Sequence, residues 1–150
     1  MPDNPAMRLA QAGLFVVLLI AVSVCDIRNR RIPDRLQIGI AALLALDFSW
    51  KNLLGLFVAL PFLTVAIACR EKEGIGGGDV KLAASMGVVL GMSAGLTASV
   101  IGLASFLCYA AVHGFAQKER GKERPGAYPL GPFLAAGGIC AYFMKMGGSL

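Results

Sequence analysis

Charge is scarce in this chain. Of its 150 residues only 15% are charged and 57% are hydrophobic, with a mean hydropathy of +0.69, whereas a soluble domain carries roughly 25% charged residues. That shortage excludes an ordinary water-soluble domain and describes a polytopic membrane protein. Paired cysteines are also lacking. Cys25, Cys69, Cys108 and Cys140 stand far apart within or beside apolar runs, and without a C-x-x-C there is no basis for a zinc ribbon or a thioredoxin-like site. They read as small residues packing in a bundle. Nucleotide-binding loops are missing too. The glycine run "EGIGGGDVKL" (73–82) ends in Asp79 and Leu82 follows Lys81, so it is neither G-x-x-x-x-G-K-[ST] nor G-x-G-x-x-G. The net charge of +5 does not point to nucleic acid, because the basic residues sit in short connectors between apolar runs, where they set orientation and meet anionic lipid headgroups.

What is present is a series of apolar runs. The first, residues 9–25, is 17 residues long, longer than the roughly 7–15 of a signal-peptide core. Val24 before Cys25 is not the small residue of a lipoprotein cleavage site, so the run reads as a retained helix. After "DIRNRRIPDR" comes Leu36–Leu46 with Pro33 suited to its first turn. Its 11 residues rise only about 16 Å against a hydrocarbon core of about 30 Å. The third run is Leu53–Cys69. Leu82–Phe115 holds 34 residues without formal charge if His113 is neutral, too many for one span, and predicts two helices joined near Gly91–Gly95, the first starting around Asp79. "YPLGPFLAAGGICAYFMK" supplies the last helix. The expected fold is an all-α, six-span bundle forming a single integral-membrane domain over 1–150. Alternating loops place eleven of the fourteen Lys and Arg residues on one side and Arg8, Lys51 and Lys145 on the other, which predicts cytoplasmic loops near 26–35, 70–79 and 116–127 with both termini outside. Ala83, Gly87, Gly91 and Gly95 form a small-residue stripe that lets helices approach closely.

This topology sorts the acids. Asp34, Glu71, Glu73, Glu119 and Glu123 fall among basic loop residues, and Asp3 and Asp47 on the opposite side. Asp26 and Asp79 alone abut apolar helices at one shared depth. Each has a structural reading: Asp79 as a helix N-cap, Asp26 paired with Arg28 or Arg30. Together they have a chemical one, since two carboxylates in a partly desolvated site do not both ionise easily; one keeps a proton while the other activates water. A proton relay or small transporter would also use intramembrane acids, but no carboxylate lies at mid-membrane to pass a proton onward. His113, Trp50 and Tyr128 read as interfacial residues; Glu71 and Glu73 read as solvated loop charges.

Three segments carry a family resemblance. "GGGDVKLAASMGVVLG" (Gly76–Gly91) resembles the G-x-G-D motif and following helix of type IV prepilin peptidases. "CDIRNRRIPDRL" (Cys25–Leu36) is similar to the family's other aspartate motif, and "YPLGPFLAAGG" (Tyr128–Gly138) resembles its Pro-x-Gly-Pro-Phe segment. The resemblance implies a membrane aspartic endopeptidase without metal or cofactor, in the bacterial cytoplasmic membrane with its site at the cytoplasmic face. Its partners would be membrane lipids and a prepilin-like substrate that loses its basic leader. Asp26 and Asp79 would be the catalytic pair and Gly76, Gly77 and Gly78 the active-site loop, which would open after Gly74. Pro33, Asp34, Lys81, Pro129, Gly131 and Pro132 would shape the site. Two departures matter. Asp34 stands where the family has Asn, bringing a third carboxylate near the pair. No segment corresponds to the cysteine-bearing domain linked with methyl transfer, so the chain resembles the short branch associated with Flp-type pili.

Overall fold

In the computed structural model the described residues are 5–46, 48–68, 76–119 and 128–148, and every regular element among them is helical. Helix α1, Pro5–Asn29, is 25 residues of mostly aliphatic sequence and extends past the expected end at Cys25, so that Asp26 lies inside its last turn. It stops at Arg30, which has a left-handed φ of 49° and whose N–H donates to the Asp26 carbonyl at 2.9 Å, closing the last turn. Pro33 is the N-cap of α2, Asp34–Ala42, one position before the helix proper. Its ring holds an extended entry and restricts the residue before it. After nine residues α2 tightens into a 3₁₀ turn, Leu43–Leu46.

The third run is helical from Trp50 to Ala68 in three pieces: α3, Trp50–Leu53, a 3₁₀ segment, Leu54–Val58, and α4, Ala59–Ala68. Helix α5, Gly77–Leu90, ends at Gly91, whose φ of +82° is one that side-chain-bearing residues rarely adopt. This places the break inside the long uncharged run where the sequence predicts one. Helices α6, Met92–Glu119, and α7, Gly131–Met146, complete the chain. The expected count of six spans is not reached by length. Among the described residues Ala6–Asn29, Trp50–Ala68 and Met92–Ala116 are long and apolar enough to cross a membrane, whereas α2, α5 and α7, at 9, 14 and 16 residues, fall short of about 20. The loops around Glu71, Glu73 and Gly74, with Cys69, Arg70 and Lys72, lie outside the described residues. So do 120–127, with three of their basic residues and Glu123, and the acids Asp3 and Asp47.

Helix α5 lies at the centre. Leu82, Ala83, Met86, Val89 and Leu90 are buried against Phe15, Leu19 and Val22 of α1, Ile40 of α2, Phe62 of α4 and Leu134 of α7. Large apolar side chains such as Val17, Ile20, Ile67, Val100, Leu107, Val112 and Phe115 point outward. In water such a surface would drive association; in a bilayer it faces lipid. Where lipid surrounds the helices, their association relies on close packing. The small-residue stripe serves that packing at Gly87, which meets the backbone of Gly55, and at Gly95, where a Cβ would lie 2.9 Å from Val58; outside the stripe, Gly137 meets the Ala98 carbonyl and a Cβ on Gly102 would lie 3.0 Å from the Leu134 backbone. At the end away from Asp26, Gln11 donates to the Leu43 carbonyl at 2.9 Å, Tyr142 donates to Gln11 at 3.1 Å, and Lys145 donates to the Leu90 carbonyl at 2.8 Å.

Because backbone meets backbone at Gly55 and Gly87, neither site can accept a side chain without helix displacement. Gly55→Val or Gly87→Val should lower the melting temperature of the detergent-purified protein, a loss of about 1–3 kcal/mol or more. Gly13→Ala, where nothing lies within 4 Å, should not lower it, alanine being the better helix former. Equal melting temperatures for all three would contradict the packing.

Candidate active site

Asp26 comes from the last turn of α1 and is 7% exposed. Its Oδ2 accepts the N–H of Gly131 at 2.9 Å, across 105 residues of sequence. Gly131 opens α7, with Leu130 as N-cap and Pro132 in the first turn. First-turn N–H groups have no intrahelical acceptor and carry the positive end of the helix dipole, so this amide is a ready partner for a carboxylate. The approach is close. A Cβ on Gly131 would lie 2.6 Å from Asp26 Oδ2, which only glycine avoids. Arg28 and Arg30, considered as ion-pair partners for Asp26, are exposed, and the Asp26 side chain turns inward instead.

Asp79 comes from the first turn of α5. Gly76 is the N-cap in extended conformation; Gly77 and Gly78 lie in the helix, so the glycine segment expected as a loop is the start of α5. The Asp79 N–H donates to the Gly76 carbonyl at 3.0 Å, and its carboxylate accepts a backbone hydrogen bond from Gly76. This is the reach-back of an acid at the third helical position to the N-cap, so the expected capping role is partly realised. Asp79 is half-buried and lies outside the three long spans. Burial pushes its carboxyl up to about 6, the charge of Asp26 pushes the same way, and the Gly76 hydrogen bond opposes both. The two carboxylates flagged by the sequence are therefore brought within electrostatic reach of one another, from helices 53 positions apart in the chain.

The other candidates divide. Gly131 touches Asp26 directly, while Pro129 and Pro132 flank the segment that delivers it. Asp34 and Lys81 form an exposed ion pair at 2.8 Å, so the third carboxylate is turned to Lys81, and the charge that reaches Asp79 is that of Asp26. Surface pairs of this kind contribute at most about 1 kcal/mol. Among the described residues no three His, Cys, Asp or Glu side chains converge to hold a metal. Two contacts escaped the sequence. Gln37 of α2, 5% exposed, donates from Nε2 to the Gly78 carbonyl at 2.9 Å; a polar residue in a short apolar run is the one signal that could have marked it. Tyr128 Oη lies 3.2 Å from His113 Nδ1, within a ring cluster with Tyr109.

Residues 13–114 match the model of the type IV leader peptidase family. The chain belongs to this family. Curated relatives include proteins named prepilin leader peptidase/N-methyltransferase from Bacillus subtilis (strain 168), 37% identical over 149 residues, and from Legionella pneumophila, 29% identical over 148 residues. Another, from Burkholderia pseudomallei (strain 1026b), is 35% identical over 155 residues. The alignments cover 91%, 91% and 90% of this chain but 56%, 50% and 46% of the relatives, so the chain spans about half the length of the curated relatives it matches. No solved structure matches. Family and apolar helices together make this leader peptidase relative a multi-pass membrane protein.

The electrostatic coupling is testable without substrate. A hydrophobic carbodiimide modifies protonated carboxyls, so labelling of Asp79 should decline as pH rises through about 6. In Asp26→Asn one of the two raising influences is gone while burial remains, and the midpoint should move to lower pH. An unchanged midpoint, read by mass spectrometry of the labelled peptide, would contradict the pairing.

Proposed function

We propose that this chain is an aspartic-type membrane endopeptidase that removes the leader of a prepilin-like, Flp-type substrate at the cytoplasmic face of the bacterial inner membrane. The observation that carries this reading is the convergence of Asp26 and Asp79 in a family whose relatives are named for leader cleavage. The eleven-to-three division of Lys and Arg supports the cytoplasmic placement.

In the proposed mechanism Asp79 enters protonated and Asp26 enters as the carboxylate that accepts the Gly131 amide. Asp26 takes a proton from a water as its oxygen bonds to the scissile carbonyl carbon. Asp79 gives its proton to the carbonyl oxygen, and a tetrahedral diol results. Asp26 then passes its proton to the leaving nitrogen, the C–N bond breaks, and a diol hydroxyl returns its proton to Asp79. The Gly131 hydrogen bond fixes the direction in which Asp26 presents its free oxygen. Asp26 sits in the last turn of α1 and Asp79 in the first turn of α5, which presents both carboxyls for acid–base chemistry.

Asp26→Asn and Asp79→Asn should each abolish cleavage of a co-expressed prepilin while leaving membrane abundance intact, since each acid–base step contributes about 10²–10⁴-fold and the pair acts as a unit. Gly131→Ala should behave similarly by displacing Asp26. Asp34→Asn, which removes only an exposed ion pair, should keep most activity. Near-native processing by Asp79→Asn in a mobility-shift assay would return that residue to a purely capping role.

We also propose that the chain cleaves without methylating. Product made by the purified protein in the presence of S-adenosylmethionine should carry a free, unmodified N-terminus by mass spectrometry. A mass gain of one methyl group there would contradict this.

A further inference from the structure

Four glycines precede Asp79 within six residues, Gly74, Gly76, Gly77 and Gly78. Such a run has more backbone freedom than any other sequence of its length. A carboxylate at its end needs an external constraint if it is to hold one position relative to Asp26.

We propose that Gln37 of α2 is the positioning residue for Asp79, acting through the Gly78 carbonyl; this rests on the peptidase reading above. Gln37 is 5% exposed and its Nε2 donates to Gly78 O at 2.9 Å, across 41 residues of sequence. The Gly78 carbonyl and the Asp79 N–H belong to one planar peptide unit. Gln37 holds the oxygen end of that plane, and the Gly76 carbonyl holds the nitrogen end through the Asp79 N–H at 3.0 Å. A planar group held at both ends resists rotation, so α2 sets the Asp79 Cα, from which the Gly76 backbone hydrogen bond orients the carboxyl. Ile32, buried at 9% exposure, lies beneath Gly78, with its Cβ 3.5 Å from where a Gly78 Cβ would stand. A carbonyl has two lone pairs, so Gly78 O can serve α5 and Gln37 together. A glutamine in a short apolar helix therefore substitutes for the rigidity that the glycine run lacks.

This makes α2 part of the catalytic apparatus without contact to substrate. Its exposed Asp34–Lys81 pair joins the same two helices but lies at the surface and fixes nothing at the dyad. Gln37 also lines a groove of about 410 Å³ between α2, α5 and Leu56, so a side chain of similar length can be placed there without overpacking.

Gln37→Met keeps length and volume and removes the donor. With a prepilin reporter, kcat should fall about 10–100-fold, since one hydrogen bond and a small displacement of a catalytic group are at stake. KM should change less than about twofold, and the melting temperature should stay near that of the parent. Gln37→Glu has the same shape but donates to the Gly78 carbonyl only while protonated, so its loss of kcat should deepen as pH rises. Independently of cleavage, hydrogen–deuterium exchange at the amides of residues 76–80 should quicken in Gln37→Met and stay unchanged in Asp34→Asn. Unchanged exchange there in Gln37→Met, or native kcat when the parent cleaves, would overturn the proposal. A parent protein that cleaves no prepilin while Gln37→Met quickens exchange would instead count against the peptidase reading and leave Gln37 as the anchor of the Asp79 turn.

Discussion

A carboxylate taken out of water at the end of a membrane helix must be given partners, and among the described residues the partner of Asp26 is the backbone amide of Gly131. Burying an uncompensated charge is too costly to persist, so the end of α1 and the start of α7 have to meet. That requirement explains why Gly131 has no room for a side chain and why α7 opens with the Gly131 N–H aimed inward. It also joins the first and last helices of the chain, which pack along one another. The remaining geometry follows from that contact. Asp79 rides on α5, which packs against α7, and its carboxyl feels both the burial and the Asp26 charge.

The glycines carry the rest of the architecture, and they do so for different physical reasons. Gly91 turns the chain through a left-handed φ, splitting one long apolar run into two helices. Gly55 and Gly87 let two backbones touch, which holds helices together where lipid offers little hydrophobic incentive for them to associate. Gly131 admits a carboxylate. The run before Asp79 provides the start of α5, and the order it lacks comes from Gln37 on a neighbouring helix.

Much of this was legible in the sequence because it is local. Low charge and long apolar runs announced membrane helices, the uncharged stretch from Leu82 to Phe115 demanded a break, and Gly91 was where it fell. Asp26 and Asp79 stood out as acids that abut apolar helices, and the structure brings them together. Other features depend on distant contacts and were not readable. Glycine density suggested a loop at 76–78, but Gly77 and Gly78 form the first turn of α5, with Gly78 against Ile32 and Gln37. Asp34 looked like a perturbing third acid, yet Lys81, 47 residues away, holds it at the surface. The number of membrane crossings was inferred from alternation, whereas the lengths of α2, α5 and α7 fall below a full span. Gln37 gave only the faint signal of polarity among Leu and Ile.

The claim on which everything turns is that positions 26 and 79 share one site. Asp26→Cys combined with Asp79→Cys, with the four native cysteines replaced, tests it in native membranes without any need for activity. A short bifunctional thiol crosslinker should bridge the two introduced cysteines in high yield, seen as one intramolecular link by mass spectrometry. A control pairing position 79 with position 17, on the lipid-facing side of α1, should not link. Absence of a 26–79 link with both thiols reactive, or an equal yield for the control, would contradict the account.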